Sequence, residues 1–574
     1  MRAVGALFVV AGSTVAADDN RRSISVSRDT VTGAFTVQDG IISTDADAFG
    51  HYYSSYNSSG WAYLDVHMNT EVSSVDQHLS FTKSFGYLEG FITCNTIKTF
   101  YPNFYSAVFG SSEPGAETIQ FIEDNYDWMV EQADKNYLVN DYWYAVKASI
   151  TQINGVYEGL VDGCPPTSSE AKWSTLDNPT LTHILLINAW GDLYQITAKY
   201  FEPGRARGLQ RPKQAELGHV HSRVLRESST FVERCSAIIK LLPNYADVVY
   251  GHATWDTYES LGPRIFKHYS FPLMRSGVMG KPYNVYFSSS PALLSSVDDF
   301  FTISGYAQLG VIETTNDMLN MDLLDKVVPQ SMLSYMRAVI SNQLAKDGHN
   351  WAELFSEYQS GTYTNQWMVL DLTKFTPAKT PQRGFLTVLE EVPGRVHWED
   401  MTDSLARNNY WPSYNNPYFV DIQQLSGYAA ACNLSSAWCY DTAPRANIFR
   451  ERQSSIQNER GVQQILAYND FQNDPLSLND SCNAPACRGD LEPKLINRGP
   501  YGALDVKQTT VLNSKRVAGE LPIINARLGP TTDQQAPFCW SQIDDSGYSH
   551  NGQPDCFDFE WQTILPSAEE ETFV

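Results

Sequence analysis

The feature that most constrains this chain is an abrupt change of character at Cys235. From about Pro203 to Arg234 the sequence carries Arg205, Arg207, Arg211, Lys213, Arg223, Arg226 and Arg234 with little apolar periodicity. Directly after it, Cys235-Ser-Ala-Ile-Ile-Lys-Leu-Leu is an apolar run closed by Pro243 and Asn244. That run reads as a buried strand with the cysteine at its first position. A second run, Asp247 to Trp255, follows a short turn and makes a hairpin with the first, which brings His252 back near Cys235. In a chain of net charge −24 the basic stretch reads as an exposed linker, the kind of segment that processing proteases cut. The expected organisation is therefore a fragment over 18–202, a linker over 203–234 that is excised or cleaved, and a fragment over 235–574 that begins with the cysteine.

The N-terminus has the pattern of a secretory signal: Arg2, an apolar run from Ala3 to Ala11, then small residues to Ala16 and Ala17. Residues 1–17 are read as that signal. No later stretch approaches the roughly 20 apolar residues that a membrane-spanning helix needs. The acidic balance, with a pI near 4.8, disfavours nucleic acid as a partner, because a phosphate backbone needs a basic surface to release its counterions. Sequons at Asn57, Asn433 and Asn479 agree with passage through the secretory pathway. So do the nine cysteines, since an oxidising compartment pairs thiols. Three local pairings suggest themselves: Cys432 with Cys439, Cys482 with Cys487, and Cys539 with Cys556. Cys94, Cys164 and Cys235 remain, and spacing does not choose the odd one.

A cleavable linker that ends just before a strand-initiating cysteine is how an N-terminal nucleophile enzyme is built. Cleavage between Arg234 and Cys235 frees an α-amine that serves as general base for its own side chain. An α-amine of reference pKa about 7.7–8.0 is mostly protonated in an acidic organelle, and a thiol suits such conditions because it needs less activation than a hydroxyl. No Gly-x-Ser-x-Gly elbow, His-Glu-x-x-His helix, Walker loop or dinucleotide fingerprint occurs. The eleven histidines form no motif of metal-ligand spacing, so neither metal nor organic cofactor is expected.

The run from Cys235 to Pro243, with Gly251-His252-Ala253-Thr254-Trp255 and Tyr258 after it, resembles the phospholipase B-like proteins, secreted and lysosomal relatives of the N-terminal nucleophile hydrolases. Further blocks resemble that family in the same order: Leu181 to Leu193, Leu294 to Phe301, Glu313-Thr-Thr-Asn316, Pro444 to Arg450, and Cys487 to Leu491. The resemblance implies Cys235 as nucleophile, the Arg234–Cys235 bond as the autocatalytic cleavage point, and two fragments that stay associated. His252 is then a polar neighbour of the thiol, and Trp255 and Tyr258 are walls of the substrate pocket. Asn447 and Asn316 are candidate oxyanion donors, Thr315 a residue that orders the nucleophile, and Arg450 a basic partner. It also implies an α+β fold, a four-layer αββα sandwich with helical and loop elaborations.

Residues 23–110 read as strands, Ala116–Lys135, Leu181–Phe201 and Leu323–Ala345 as helices, Val285–Phe287 and Gln308–Glu313 as strands, and the stretch from Asp474 as Pro- and Cys-rich loops. The expected activity is hydrolysis of phospholipid esters through an acyl-thioester in a lysosomal or extracellular setting. An N-acyl amide or peptide-like amidase is the rival, and an idle lipid- or glycan-binding protein on the same scaffold is a third reading.

Overall fold

A computed structural model describes residues 21–200, 235–492, 500–515, 522–545 and 547–564. The signal at 1–17 and the basic segment 203–234, with Arg234, lie outside the described residues. The architecture is α+β. One sheet of eleven strands runs from Arg395–Asp400 through Leu386–Val392, Asn365–Asp371, Gln308–Thr315, Phe300–Ser304, Val278–Ser289 and Ile265–Arg275 to Ala62–Met68, Ala48–Ser54, Arg22–Arg28 and Phe35–Asp39. A second, of six, runs in the order Tyr410–Ser413, Ser236–Leu241, Val248–Thr257, Tyr501–Thr510, Ile524–Leu528 and Gln562–Ile564.

The apolar runs on either side of Pro243 form the expected hairpin. Strands Ser236–Leu241 and Val248–Thr257 pair antiparallel, with Ala237 opposite His252, and Pro243–Tyr245 makes the turn. Period two sends their side chains to opposite faces. Val249, Ala253 and Trp255 pack with Ile465 and Leu466 of helix Glu459–Leu466. Val248 and Tyr250 face the larger sheet, where the Tyr250 hydroxyl lies 3.2 Å from that of Thr302. Gly310 permits that approach, since a Cβ there would lie 2.7 Å from the Tyr250 ring.

The larger sheet is antiparallel except at one seam, where Ala62–Met68 runs parallel to Ile265–Arg275. The seam joins chain from before residue 203 to chain from after residue 234. Helix Val75–Ile92 covers it and packs along helix Asp141–Gly163. Gly86, Gly90, Gly155 and Gly159 line that helix contact at spacing four, so the two backbones touch: a Cβ on Gly159 would lie 2.1 Å from the Tyr87 carbonyl oxygen. The Cys94–Cys164 disulfide links the chain just beyond the two helix ends.

Four sequence expectations change. Residues 75–109 are the helices Val75–Ile92 and Cys94–Phe109, because their aromatic residues recur at helical spacing, with Phe100 and Phe104 one turn apart in the core. Leu181–Phe201 is two helices, Leu181–Asn188 and Trp190–Lys199, which pass close to Tyr363 at Gly191. Leu323–Ala345 is a short 3-10 turn and then helix Ser334–Leu344, because Pro329 cannot continue the first. Within the loop-rich C-terminal part, Tyr501–Thr510 is a central strand of the smaller sheet. Among the described residues no helix is long and apolar enough to cross a membrane.

Gly159→Ala should force the two helices apart and lower the thermal unfolding midpoint, an overpacking cost of about 1–3 kcal/mol. Ala at Gly277, a turn with open space around it, gives the scan an internal comparison: its cost should be confined to the backbone strain of φ +72.

Candidate functional site

Cys235 stands just ahead of strand Ser236–Leu241 of the smaller sheet. Its backbone has φ +72, a left-handed conformation that a side chain with a Cβ resists, and the residue is 2% exposed. The disulfides are Cys94–Cys164, Cys432–Cys439, Cys482–Cys487 and Cys539–Cys556, which leaves Cys235 outside all four. The pairing of Cys94 with Cys164, undecided in the sequence, is what settles the odd cysteine.

One side-chain atom each of Cys235, His252 and Glu313 lie within 4.8 Å of one another. His252 is fully buried, with Nδ1 3.3 Å from the Thr254 hydroxyl and Nε2 3.9 Å from Glu313 Oε1. Burial, reinforced by the nearby Lys507 ammonium, pushes the His252 pKa well below its ordinary value, so the ring is neutral. Behind it lies a closed set of charges. Lys507 Nζ bonds Thr254, Asp298 and Asp505 at 2.8, 3.2 and 2.7 Å, and Arg264 pairs with Asp298 and Asp505. Burial alone would raise Asp298, but Arg264 and Lys507 outweigh it and hold the carboxyl well below the usual range.

Two cations thus meet two carboxylates, and among the described residues no Lys or Arg pairs with the next two acids, which Lys507 reaches only from a distance. Asp299 and Glu313 both accept from the Tyr363 hydroxyl, at 2.9 and 3.3 Å. Burial, with the charge of neighbouring carboxylates added, pushes both well above the usual carboxyl range. Among the described residues, Nε2 of His252, Oε2 of Glu313 and Oδ1 of Asp299 have no hydrogen-bond partner. Unsatisfied polar atoms buried beside a thiol mark a candidate place for proton transfer.

Arg445 holds the other side of the cysteine. Its guanidinium donates to the Cys235 carbonyl oxygen at 2.8 Å and to the side-chain oxygen of Asn415 at 2.7 Å, and it lies over the Trp255 ring at 4.4 Å. Asn415 in turn donates to the Thr315 carbonyl oxygen at 2.5 Å. Thr315 is therefore tied to the main chain of Cys235 through Asn415 and Arg445. Trp255 spends its indole N–H on the Pro485 carbonyl oxygen, as a wall residue does. Tyr258 is fully buried, donates to Asp490 and packs on Phe538. Asn316 is buried and donates weakly to Glu390, at 3.4 Å.

Asn447 and Arg450 lie elsewhere. Helix Pro444–Arg452 turns Arg445, Ala446, Ile448 and Phe449 inward, which puts Asn447 and Arg450 together on the outer face. There Arg450 bonds Asn447, and Asn447 donates to the Thr442 carbonyl oxygen. The apolar phase of that helix is the signal that could have pointed to Arg445. Asn415, Tyr363 and Lys507 carry no such signal, whereas Asp299 lies beside Asp298 in the block Leu294 to Phe301. The three sequon asparagines, Asn57, Asn433 and Asn479, are all exposed.

A protein-family model described as Phospholipase B matches residues 48–564. The chain is 31% identical over 528 residues to phospholipase B-like 1 of Rattus norvegicus, covering 92% of this chain and 89% of that relative. It is 34% identical over 546 residues to phospholipase B-like protein D of Dictyostelium discoideum (91% and 87%), and 30% identical over 541 residues to a phospholipase B of Crotalus adamanteus (93% and 91%).

Lys507→Met should leave two buried carboxylates with one cation and cost about 3–5 kcal/mol, read as a lowered unfolding midpoint, with Lys507→Arg losing less. A pH dependence follows from Glu259, whose pKa burial raises to about 7 against the hydrogen bonds it accepts. The protonated form is the one the fold favours. That stability is fully present below the unfolded carboxyl value of about 4.3 and is lost as pH rises to about 7. The unfolding midpoint should fall by a few degrees across that window, and Glu259→Gln should flatten the fall.

Proposed function

The chain belongs to the phospholipase B family, and from that premise we propose that it is a self-processing acyl hydrolase whose nucleophile is Cys235. The observation that carries the reading is the setting of that thiol: excluded from the four disulfides, held at φ +72, and gathered with His252 and Glu313 within 4.8 Å. The helix and sheet contacts, with Tyr250 bridging the sheets and helix Glu459–Leu466 on the far face of the smaller one, are those a four-layer αββα sandwich would make.

In processing, Cys235 Sγ attacks the carbonyl carbon of residue 234. The peptide C–N bond breaks, the α-nitrogen takes the proton, and a thioester joins the thiol to the preceding segment. Water then hydrolyses the thioester, which releases a carboxylate on Arg234 and returns the Cys235 thiol beside the α-amine already freed. The left-handed backbone at Cys235 favours this step by storing strain beside the scissile bond, of order 1–3 kcal/mol for such a conformation. Arg445 steadies the cysteine through its carbonyl oxygen, and the raised carboxyls of Asp299 and Glu313 supply protons nearby. Residues 18–202 and those from 235 onward remain associated through the shared sheet.

In turnover the same thiol attacks the acyl carbonyl of substrate, with its own amine taking and returning the proton, and water releases the fatty acid from an acyl-thioester. Asn415 has a second amide hydrogen beyond the one given to Thr315, and it is assigned the oxyanion with Arg445 behind it. These two take the roles expected of Asn447 and Arg450, whose groups are spent on the outer face of their helix. The family name and the Crotalus adamanteus phospholipase B support phospholipid esters as substrate. Signal, sequons and disulfides support a lysosomal or extracellular site of action.

Incubation at acidic pH should produce a new N-terminus at Cys235 by intact mass and end sequencing, with Cys235→Ala uncut and without phospholipid turnover. Cleavage of Cys235→Ala at the same bond would assign the cut to another protease and sink self-processing. Release of fatty acid from acyl amides but not from phospholipids would move the substrate to the amide class.

A further inference from the structure

Away from the cysteine, the parallel seam of the large sheet carries a second cluster. Asp65 and His67 stand two apart on strand Ala62–Met68, so they share a face, and Asp65 is directly opposite His268 of strand Ile265–Arg275. Both rings address one carboxylate oxygen: His67 Nε2 lies 2.8 Å and His268 Nδ1 2.7 Å from Asp65 Oδ1. The three ligand atoms lie within 4.8 Å of one another. Their side chains are 13%, 30% and 5% exposed for Asp65, His67 and His268, so the cluster is closed below and open to solvent on the His67 side.

His268 is held at both ring nitrogens: Nε2 lies 3.1 Å from the side-chain oxygen of Asn284, and Nδ1 lies 2.7 Å from Asp65 Oδ1. The arrangement is that of a metal-binding histidine whose far nitrogen is fixed by a second hydrogen bond. Stacking holds both rings: Tyr286 lies over His268 at 4.1 Å and 8°, and Phe49 over His67 at 5.2 Å and 6°. Ligand atoms in a tetrahedral zinc shell sit about 3.3 Å apart for bonds of about 2.0–2.1 Å, so the two contacts need open by only about half an ångström.

We propose that Asp65, His67 and His268 form a binding site for one divalent transition-metal ion of the zinc class, with water in the fourth position. Two imidazoles and one carboxylate select such an ion over calcium or magnesium, which take oxygen ligands. The site is separate from the thiol and needs no catalytic step. Its placement has a consequence that does rest on the processing reading: Asp65 and His67 precede the basic segment and His268 follows it, so a bound ion would clasp the two fragments after the cut.

The test is isothermal titration of Zn2+ into the metal-free full-length chain at pH 7, in wild type, Cys235→Ala, Asp65→Asn and His67→Ala. His67, the most exposed of the three, is the replacement least able to unfold the protein, and circular dichroism checks it. One ion per chain is expected in wild type and in Cys235→Ala, with affinity lowered at least tenfold in His67→Ala and Asp65→Asn, and a tetrahedral Co2+ absorption spectrum lost with them. Absence of binding, or equal affinity in His67→Ala, would overturn the site. Binding lost in Cys235→Ala alone would put the ion at Cys235, His252 and Glu313 instead. Cys235→Ala tests the site whether or not the chain cuts itself. In chain that has been cut, chelation should lower the temperature at which the fragments part in wild type and leave His67→Ala unchanged.

Discussion

Two buried cations and two buried carboxylates, Arg264 and Lys507 with Asp298 and Asp505, balance each other between the sheets, and the candidate site takes its chemistry from that balance. Isolated charges would be expelled from such a place, because an uncompensated ion in low dielectric costs several kcal/mol. Closed among themselves, they act on Asp299 and Glu313 only from a distance. Burial therefore raises both carboxyls well above the usual range, and burial beside an ammonium lowers His252. The Cys235 thiol lies with His252 and Glu313 beside this set. The set also spans the fold, since Arg264 precedes the seam strand Ile265–Arg275 while Lys507 and Asp505 belong to the central strand of the smaller sheet.

Around that set, the main chain of Cys235 is held from outside its own strand. Arg445 binds the Cys235 carbonyl oxygen and Asn415, and Asn415 binds the carbonyl oxygen of Thr315. The path runs from a helix through a loop to a strand of the larger sheet, so the left-handed backbone at Cys235 is fixed from both sheets. The parallel seam does comparable work at the scale of the whole molecule. It makes the chain before the basic segment and the chain after it neighbours in one hydrogen-bonded ladder.

Much of this was legible before any coordinates. The apolar runs around Pro243 specified the hairpin and its register, and with it the approach of His252 to Cys235, because strand periodicity and a short turn leave one antiparallel arrangement. Local spacing of cysteines identified three disulfides. Asn447 and Arg450 show where such reading ends: they share a block with Arg445, and which of the three points inward is a matter of helical phase against the core. The helices Val75–Ile92 and Asp141–Gly163 meet through glycines, which carry no apolar signal at all.

By itself, the sequence determined the family, the cysteine at the head of a core strand, and the basic segment before it, since each is written in contiguous residues. Only the tertiary structure decided which side chains surround that cysteine. Glu313, Asp299, Tyr363, Lys507 and Arg445 come from five separate segments, and their pairing depends on a low-dielectric interior in which every charge must find its partner. The same holds for Asp65, His67 and His268: some two hundred residues separate the first two from the third, and one parallel strand pair brings them within reach of a single oxygen atom.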